Sequence, residues 1–486
     1  MPFKPVFLWT DLLVYVLLVS VVVFISYVRR REHLLAPWRK VARSAYGMCA
    51  LVVLLCFVLV GMLDSMHFRA RLDSKDNQGR ANYAAEVLSV LDVFTAPVRT
   101  RTEKTYSEPL AVYSFAKETV TKADGTQSRE FPRLRHAGAH LNDPQEQRHA
   151  DIARRVMGGA GLAIGLWIAI SMAVAAWIAQ GRNASFGAIV TQMIRGESEV
   201  PWRAMLITLG LLLLVVCPVL MLSVRYHVFG TDKVGQDVLY QTLKSIRTGL
   251  VIGTLTTLIV LPFALALGVM AGYLRGWVDD IIQYVYTTLN SIPGVLLIAA
   301  SVLLSQVWMD RHPELFETLT ERADVRLLLL CVILGITSWT GLCRLLRGEA
   351  LKLRESDYVQ AAHALGVSHW RVMVRHLLPN LMHIVLISIV MDFSGLVLAE
   401  AVLSYVGVGV DPSMISFGTM INNARLELAR EPAVWWSLAA AFVFMFLLVL
   451  SANLFADCVR DAFDPRMRSG WSLSFRRRLA LAAPPR

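Results

Sequence analysis

Nine apolar blocks, each of about 20 residues, limit what this chain can fold into. They fall near 6–28, 46–64, 156–179, 202–223, 247–272, 281–304, 326–344, 382–404 and 435–457. A helix of that length matches the hydrocarbon of a bilayer, where an unpaired peptide group finds no partner. The blocks lack the in–out alternation of barrel strands. The expected class is therefore an all-α membrane protein with about nine transmembrane helices in contact with a lipid bilayer. Composition agrees, since 55% of the 486 residues are hydrophobic and 17% charged. The first block is too long, and followed by too much positive charge, for a cleaved signal peptide.

The formal net charge of +11 would suit nucleic acid if it formed a patch. It does not. Arg29, Arg30, Arg31, Arg39, Lys40 and Arg43 crowd the first short connection, and Arg476, Arg477 and Arg478 the tail. That distribution is how positive charge keeps loops in the cytoplasm, so no nucleic-acid partner is expected. By parity, 29–45, 180–201, 273–280, 345–378 and the C-terminus then face inward and the N-terminus outward. Arg154 and Arg155 disagree, but they end the long loop 65–155, and long loops obey the charge rule poorly. The six cysteines lie in or beside the blocks; with none in 65–155, that loop is no disulfide-stapled domain.

Residues 1 to about 180 hold three blocks and the polar loop; 200–466 hold six with short connections; 467–486 form a basic tail, expected to be cytoplasmic. Within 65–155, "NYAAEVLSVLDVF" is amphipathic and "LAVYSFAKETVT" alternates. Both a small α+β domain and a partly disordered loop fit. Pro218, Pro262 and Pro293 break helical patterns inside blocks, which neighbouring helices tolerate where they re-satisfy the freed carbonyls. The small residues of "GVMAGY" (268–273) permit close helix contact.

One stretch between two blocks reads as soluble. "EALKLRESDYVQAAHAL" (349–365) has strong helical propensity, with Ala350, Leu353, Tyr358, Ala361, Ala362 and Leu365 on roughly one face. Gly366 suits a left-handed cap, Ser368 can cap a second helix over "HWRVMVRHLLPN", and Pro379 closes the element. Two short helices thus meet at a glycine corner, with alanines that let another protein surface approach. A merely solvated loop needs none of these.

The run from Glu349 to Asn380 resembles the "EAA" coupling loop of inner-membrane permeases of binding-protein-dependent ABC importers. Four other segments are similar to the dipeptide, oligopeptide and nickel permeases: "HVFGTDKVGQDVL", "AGYLRGWVDDIIQYVYTTLNSIPGVLL", "EAVLSYVGVGVDPSMISFGTMI" and "FADCVRDAFDPR". They follow family order across about 224–466. The resemblance implies that the last six spans form a type I importer permease bundle. It makes Glu349, Ala350, Asp357, Tyr358, Ala361, Ala362, Gly366, Arg375 and Pro379 the element that seats on a separate ATPase subunit. It also implies the other partners: a second homologous permease, two ATPases in all, and an outer solute-binding protein, with peptides as the expected solute.

The sequence departs from the family in three respects. Four spans and a large loop precede the "FGTD" segment where one span is usual. Gln236 follows the second glycine of that segment where Arg or another polar residue is common. "DPSMISFG" replaces a more proline-rich loop.

No GxxxxGK[ST] loop, HExxH, CxxC or EF-hand pattern occurs, so no catalytic residue, cofactor or metal site is expected, and ATP hydrolysis belongs to partners. In the "FGTD" segment, Phe229, Gly230, Thr231, Asp232, Gly235 and Asp237 make an outer element, either bracing the bundle or touching an outer partner; Thr231 or Asp232 can cap a short helix there. An isolated acid in hydrocarbon costs roughly 2.5–3.5 kcal/mol. Asp392 and Glu400 in the eighth block, with Pro293, are therefore candidate solute-path residues, internal hydrogen bonding being the alternative for the acids. Two other classes stay in view. An ion-coupled transporter lacks its inverted repeats here, and a sensor or assembly protein reading through 65–155 would leave the coupling loop without purpose.

Overall fold

The computed structural model describes residues 3–75, 81–121, 127–316 and 318–463. The basic run 467–486 and the end of "FADCVRDAFDPR" lie outside the described residues. Strand β1 (Phe3–Val6) leads into α1 (Trp9–Arg29), α2 (Glu32–Arg43) and α3 (Ala45–Asp64). A small module follows: β2 (His67–Lys75), β3 (Ala81–Tyr83), β4 (Leu88–Ser89), α4 (Val90–Phe94), α5 (Ala96–Arg99), β5 (Glu118–Thr121) and β6 (Gln127–Glu130). Helices α6 (Pro144–Arg182), α7 (Phe186–Arg195) and α8 (Trp202–Ser223) come next. The remainder is α9 (Val238–Leu274), α10 (Gly276–Ser291), α11 (Gly294–Arg311), α12 (Leu319–Arg354), α13 (Asp357–Ala364), α14 (His369–Val372), α15 (Leu378–Val406), α16 (Phe417–Glu427) and α17 (Trp436–Phe463).

Among the described residues nine helices are long and apolar enough to cross a membrane, and they fall on the nine hydropathy blocks. The block 281–304 is placed differently from its expectation. Ile292 is extended (φ −89°, ψ 131°) and Pro293, with no N–H to donate, caps the next helix, so α10 stops at Ser291 and the crossing helix is Gly294–Arg311. By contrast α8 and α9 run straight through Pro218 and Pro262. Opposite Pro218 stands Gly159 of α6, where a Cβ would lie 2.5 Å from the proline Cα.

The module and both ends that adjoin it, β1 and the start of α9, share one side of the bundle. Residues 355–378 lie on the other, called here the knuckle side. Strand β1 pairs antiparallel with β2 (Phe3 opposite Ala70, Val6 opposite His67), β2 also pairs with β3 and β4, and β5 with β6 forms a hairpin. The described part of 65–155 is therefore a small α+β unit rather than a disordered loop. The amphipathic run ends in α4, capped by Ser89, whose side chain accepts from Asp92 N–H while Asp92 accepts from Ser89 N–H.

Helices α9 and α12 form the centre. Gly268 of α9 faces Leu346 and the Cys343 carbonyl, and Gly272 one turn on faces Ala350, a Cβ there falling 2.6 Å from the Ala350 Cβ. The "GVMAG" run is thus a small-residue seam along which two backbones touch. Helix α15 closes on the same core where Gly253 leaves room for Phe393 and Val397.

Buried charge ties the first spans to this centre. Arg247 of α9 bonds Asp11 of α1 at 2.6 Å and approaches Asp324 of α12 at 3.7 Å, while Thr10 N–H donates to Asp324. His67 of β2 lies 2.7 Å from the same Asp11. One turn away Lys244 reaches Asp64 at 2.6 Å and Asp92 at 3.1 Å.

Candidate functional site

The knuckle is built where α12 stops. The helix expected to run over 349–365 is two helices instead: α12 ends at Arg354, and extended Ser356 (ψ 144°) starts α13 without a side-chain cap bond. Gly366 has φ +74°, and nothing lies within 4 Å of where a Cβ would stand, so backbone geometry alone asks for glycine there. Ser368 occupies the N-cap of α14, again without a side-chain bond. Pro379 does not close the element. Residues Met373–Leu377 make one π turn and pass directly into α15, so Pro379 sits inside a helix that continues from His369 to Val406, and the π turn just before it accommodates its ring and missing N–H.

The two faces of this knuckle differ sharply. Val359, Ala362, Val372, Met373 and Leu377 are buried against α9 and α12, as is Ala350. Tyr358, Ala361, Leu365 and Trp370 point away; Leu365 is 84% and Trp370 70% exposed. Asp357, at the start of α13, and Arg375, in the π turn, are exposed as well. The single apolar face proposed from periodicity is therefore divided, with Ala350 and Ala362 inside and Tyr358 and Leu365 outside. Glu349 is half-buried and holds Lys352 at 2.7 Å.

Polar bonds fix the knuckle to the bundle. Arg347 of α12 grips Asp279 of α10 with two bonds, 2.6 and 2.7 Å. Arg275 pairs with Glu355 at 2.6 Å, Tyr273 OH lies 3.1 Å from His369 Nδ1, and Asn380 donates to Tyr358 OH. A cavity of about 400 Å³ opens among Tyr273, Arg354, Val359, Gln360, His363 and His369. The knuckle is thus bonded to the ends of α9 and α15 and continuous with α12, while Arg347–Asp279 ties α12 to α10 beneath it.

On the module side, the "FGTD" segment is roofed over. Thr231 is fully buried; its hydroxyl donates to the Thr105 carbonyl and accepts from Ser107 N–H, and Trp436 donates to its carbonyl. Gly230 (φ +73°) and Gly235 (φ +78°) lie so close to the Ser107 and Glu103 carbonyls that no side chain fits. Phe229 packs edge-on against Phe444. Neither Thr231 nor Asp232 caps a helix. Asp232 accepts from Val234 and Gln236 N–H in a tight turn, and Asp237 is the cap, accepting from Leu239 N–H.

Sequence reading missed the residue at the heart of this junction, His227. It sits 2.7 Å from Asp237 and 3.5 Å from Glu103. Burial opposes its charge, but the two carboxylates outweigh burial and push the imidazole up to about 9. Burial would likewise raise Glu103, yet His227 and the backbone N–H groups of Arg135, His136 and Ala137 bring it down to about 2.

The candidate path residues part company. Asp392 is exposed on α15, and Pro293 is exposed at the α10–α11 break. Glu400 is not on any open surface: it is 1% exposed and accepts from the Ser404 and Ser416 hydroxyls at 2.6 and 2.8 Å. Its two serine partners, one from the loop before α16, satisfy it internally, which removes it from the candidate path.

The described residues thus form a polytopic helical bundle whose knuckle presents exposed apolar side chains on one side. Residues 264–469 match the family described as binding-protein-dependent transport system inner membrane component. Over 245 residues the chain is 32% identical to the glutathione transport system permease protein GsiD of Pectobacterium atrosepticum, covering 50% of this chain and 74% of that one. It is 31% identical to the oligopeptide permease OppC of Mycobacterium bovis (50% of this chain, 77% of that one). The same identity holds for the dipeptide permease DppC of Lactococcus lactis, of which the match spans 64% and of this chain 49%. Among solved structures, the inward-facing MetNI methionine ABC transporter covers 47% of this chain and 98% of its own, at 14% identity and a TM-score of 0.37. The chain belongs to this family of importer permeases, a multi-pass protein of the inner membrane. The family match begins at 264, after α1–α8 and the module.

Proposed function

We propose that this chain is one of two permease subunits that together enclose the solute path of an ATP-driven peptide importer. The relatives' names supply the solute class: dipeptide, oligopeptide and glutathione. Two ATPase subunits serve the pair, and an outer solute-binding protein delivers the peptide. The knuckle side faces the cytoplasm, where Arg29, Arg30, Arg31, Arg39 and Lys40 also lie, and the N-terminus and module face outward. Residues 1–180 are the accessory part and 200–466 the transport core.

The observation that carries this reading is the division of the knuckle. Its inner face is packed onto α9 and α12, and its outer face presents Tyr358, Ala361, Leu365 and Trp370 to solvent with no cover. Exposed large apolar groups gathered in one patch mark an interaction site. Seated on an ATPase, the knuckle moves as a body because Val359, Ala362, Val372, Met373 and Leu377 pack it onto α9 and α12, and α12 and α15 carry the displacement into the membrane. Glu349, Ala350, Asp357, Ala362, Gly366, Arg375 and Pro379 shape the seat.

Asp392 belongs to the path. An exposed carboxylate at membrane depth needs water or a protein partner, and a wet path between the two permeases supplies both. Its charge suits the cationic amino terminus of a peptide. Pro293, exposed at the α10–α11 break, is the other path candidate.

The test is co-purification. Ala361 is exposed, so Ala361→Glu leaves the chain folded, yet puts a charge in the middle of the apolar seat. The tagged variant is expected to run as a monodisperse protein while losing its ATPase subunits. Retention of ATPase at the wild-type ratio refutes the assignment of this face.

A further inference from the structure

Helices α6 and α8 stand to one side of the bundle, joined at their knuckle-side ends by α7. At ten residues α7 is about 15 Å long, too short to cross a bilayer, and it buries only Ile189 and Met193 against Ala175, Ile178 and Ala179. It therefore lies along the membrane surface, linking two spans whose outer faces, such as Trp177 of α6 and Leu211 of α8, are open to lipid.

Between the three helices is a cavity of about 410 Å³. Its walls are Trp167, Ile168 and Met172 of α6, Ile194 of α7, and Leu206 and Ile207 of α8, almost wholly apolar. At its edge stands Arg203, in the first turn of α8. A Cβ on Gly196 would stand 3.9 Å from the Arg203 side chain, so the backbone directly after exposed Arg195 passes beside the Arg203 edge of the cavity. Arg182 ends α6, just before the connection to α7. Among the described residues none of these three arginines has an ion pair, whereas Glu199 of the same connection is already held by Arg43. Glu197 is exposed nearby and leaves the cations in excess.

We infer that this cavity holds one acyl chain of an anionic phospholipid whose phosphate rests on Arg195 and Arg203. An apolar pocket open to the bilayer fills with hydrocarbon, since water gains no partners there. Unpaired cations at the interfacial mouth then select a negative headgroup; basic pockets between helices on the cytoplasmic side take up such lipids. The site lies before the family match and is independent of what the permease carries.

Native mass spectrometry of the full-length chain, with dioleoyl-phosphatidylglycerol and dioleoyl-phosphatidylcholine added in equal amounts, reads the inference directly. One phosphatidylglycerol is expected to stay bound in preference to phosphatidylcholine. Each arginine contributes about fivefold to that preference, so Arg195→Gln with Arg203→Gln lowers it by more than tenfold, while Arg195→Lys with Arg203→Lys keeps most of it. Ser171 of α6 also lines the cavity, and Ser171→Trp, which fills it, is expected to release both lipids from a chain that still elutes as a single species. Equal retention of the two lipids by the wild type overturns the inference, as does a preference untouched by the glutamine pair. Absence of any retained lipid overturns it too, and points to a protein segment as the occupant.

Discussion

The seam between α9 and α12 can be tested at Gly272. A Cβ at this position would stand 2.6 Å from the Ala350 Cβ, 2.7 Å from the Arg347 carbonyl oxygen and 3.2 Å from the Leu351 nitrogen. Carbon atoms are comfortable at about 3.5–4.0 Å, so Gly272→Ala has to part the helices by roughly 1 Å. Two of the three neighbours are backbone and cannot turn aside. Overpacking of this kind costs about 1–3 kcal/mol. Alanine also gains about 1 kcal/mol over glycine in helix propensity, which would blur a single measurement. Gly348→Ala supplies the control. Gly348 lies in α12 with nothing within 4 Å, so it collects the propensity gain alone. Subtracting one alanine from the other leaves the contact, about 1–3 kcal/mol against Gly272→Ala. Thermal denaturation of the purified chain in detergent, followed by loss of the monodisperse peak, reads both variants under one condition. Gly348→Ala should melt at or above the wild type and Gly272→Ala clearly below it. Equal melting of the two variants would refute the close seam.

The charge cluster at Arg247 makes a second expectation: Asp11→Ala leaves a buried guanidinium short of its nearest partner and costs roughly 3–5 kcal/mol, whereas Arg43→Ala, at an exposed pair, costs under about 1 kcal/mol. The same melting assay compares them, and similar losses would remove the distinction. The His227 junction makes stability depend on pH at both ends. His227 is raised from 6.5 to about 9, so its contribution is complete below 6.5 and is lost as pH climbs through 9. Glu103 is lowered from 4.5 to about 2, so its contribution is complete above 4.5 and is lost as pH falls toward 2. Protease resistance of the module should therefore be greatest between those limits, and His227→Gln should flatten the alkaline fall; an unchanged alkaline limb would count against the junction. Finally, Asp392→Asn is expected to reduce peptide flux in reconstituted vesicles, and wild-type flux and affinity would take Asp392 out of the path.

Hydropathy made the spans legible because burying a helix in lipid requires a long apolar run, whatever its neighbours. It misplaced the 281–304 crossing because a window average cannot see that Ser291, Ile292 and Pro293 stop one helix and begin another. The Gly366 corner was legible, being a local backbone requirement. The division of the knuckle into two faces was not, since the break at Ser356 resets the helical phase between Ala350 and Tyr358. Least legible were Asp11, Arg247 and Asp324. Each sits near the end of a span, where charge is ordinary, and only the fold brings Asp11 to Arg247, 236 residues away, and the neighbouring Thr10 to Asp324, 314 residues away. Glu400 shows the converse: its membrane position invited a transport role, and two serines accommodate it without one.

Helix α12 has 36 residues, about 54 Å of continuous rod, well beyond the roughly 30 Å of hydrocarbon. Its lower tip bears the beginning of the knuckle, and its upper tip, through Asp324, is moored to the Thr10 amide of the first helix. A stiff pole passes a shift along its axis from tip to tip. Under the coupling proposed above, a push on the knuckle is therefore expected to load the Thr10 mooring, and a spectroscopic label beside the N-terminal strand would register it.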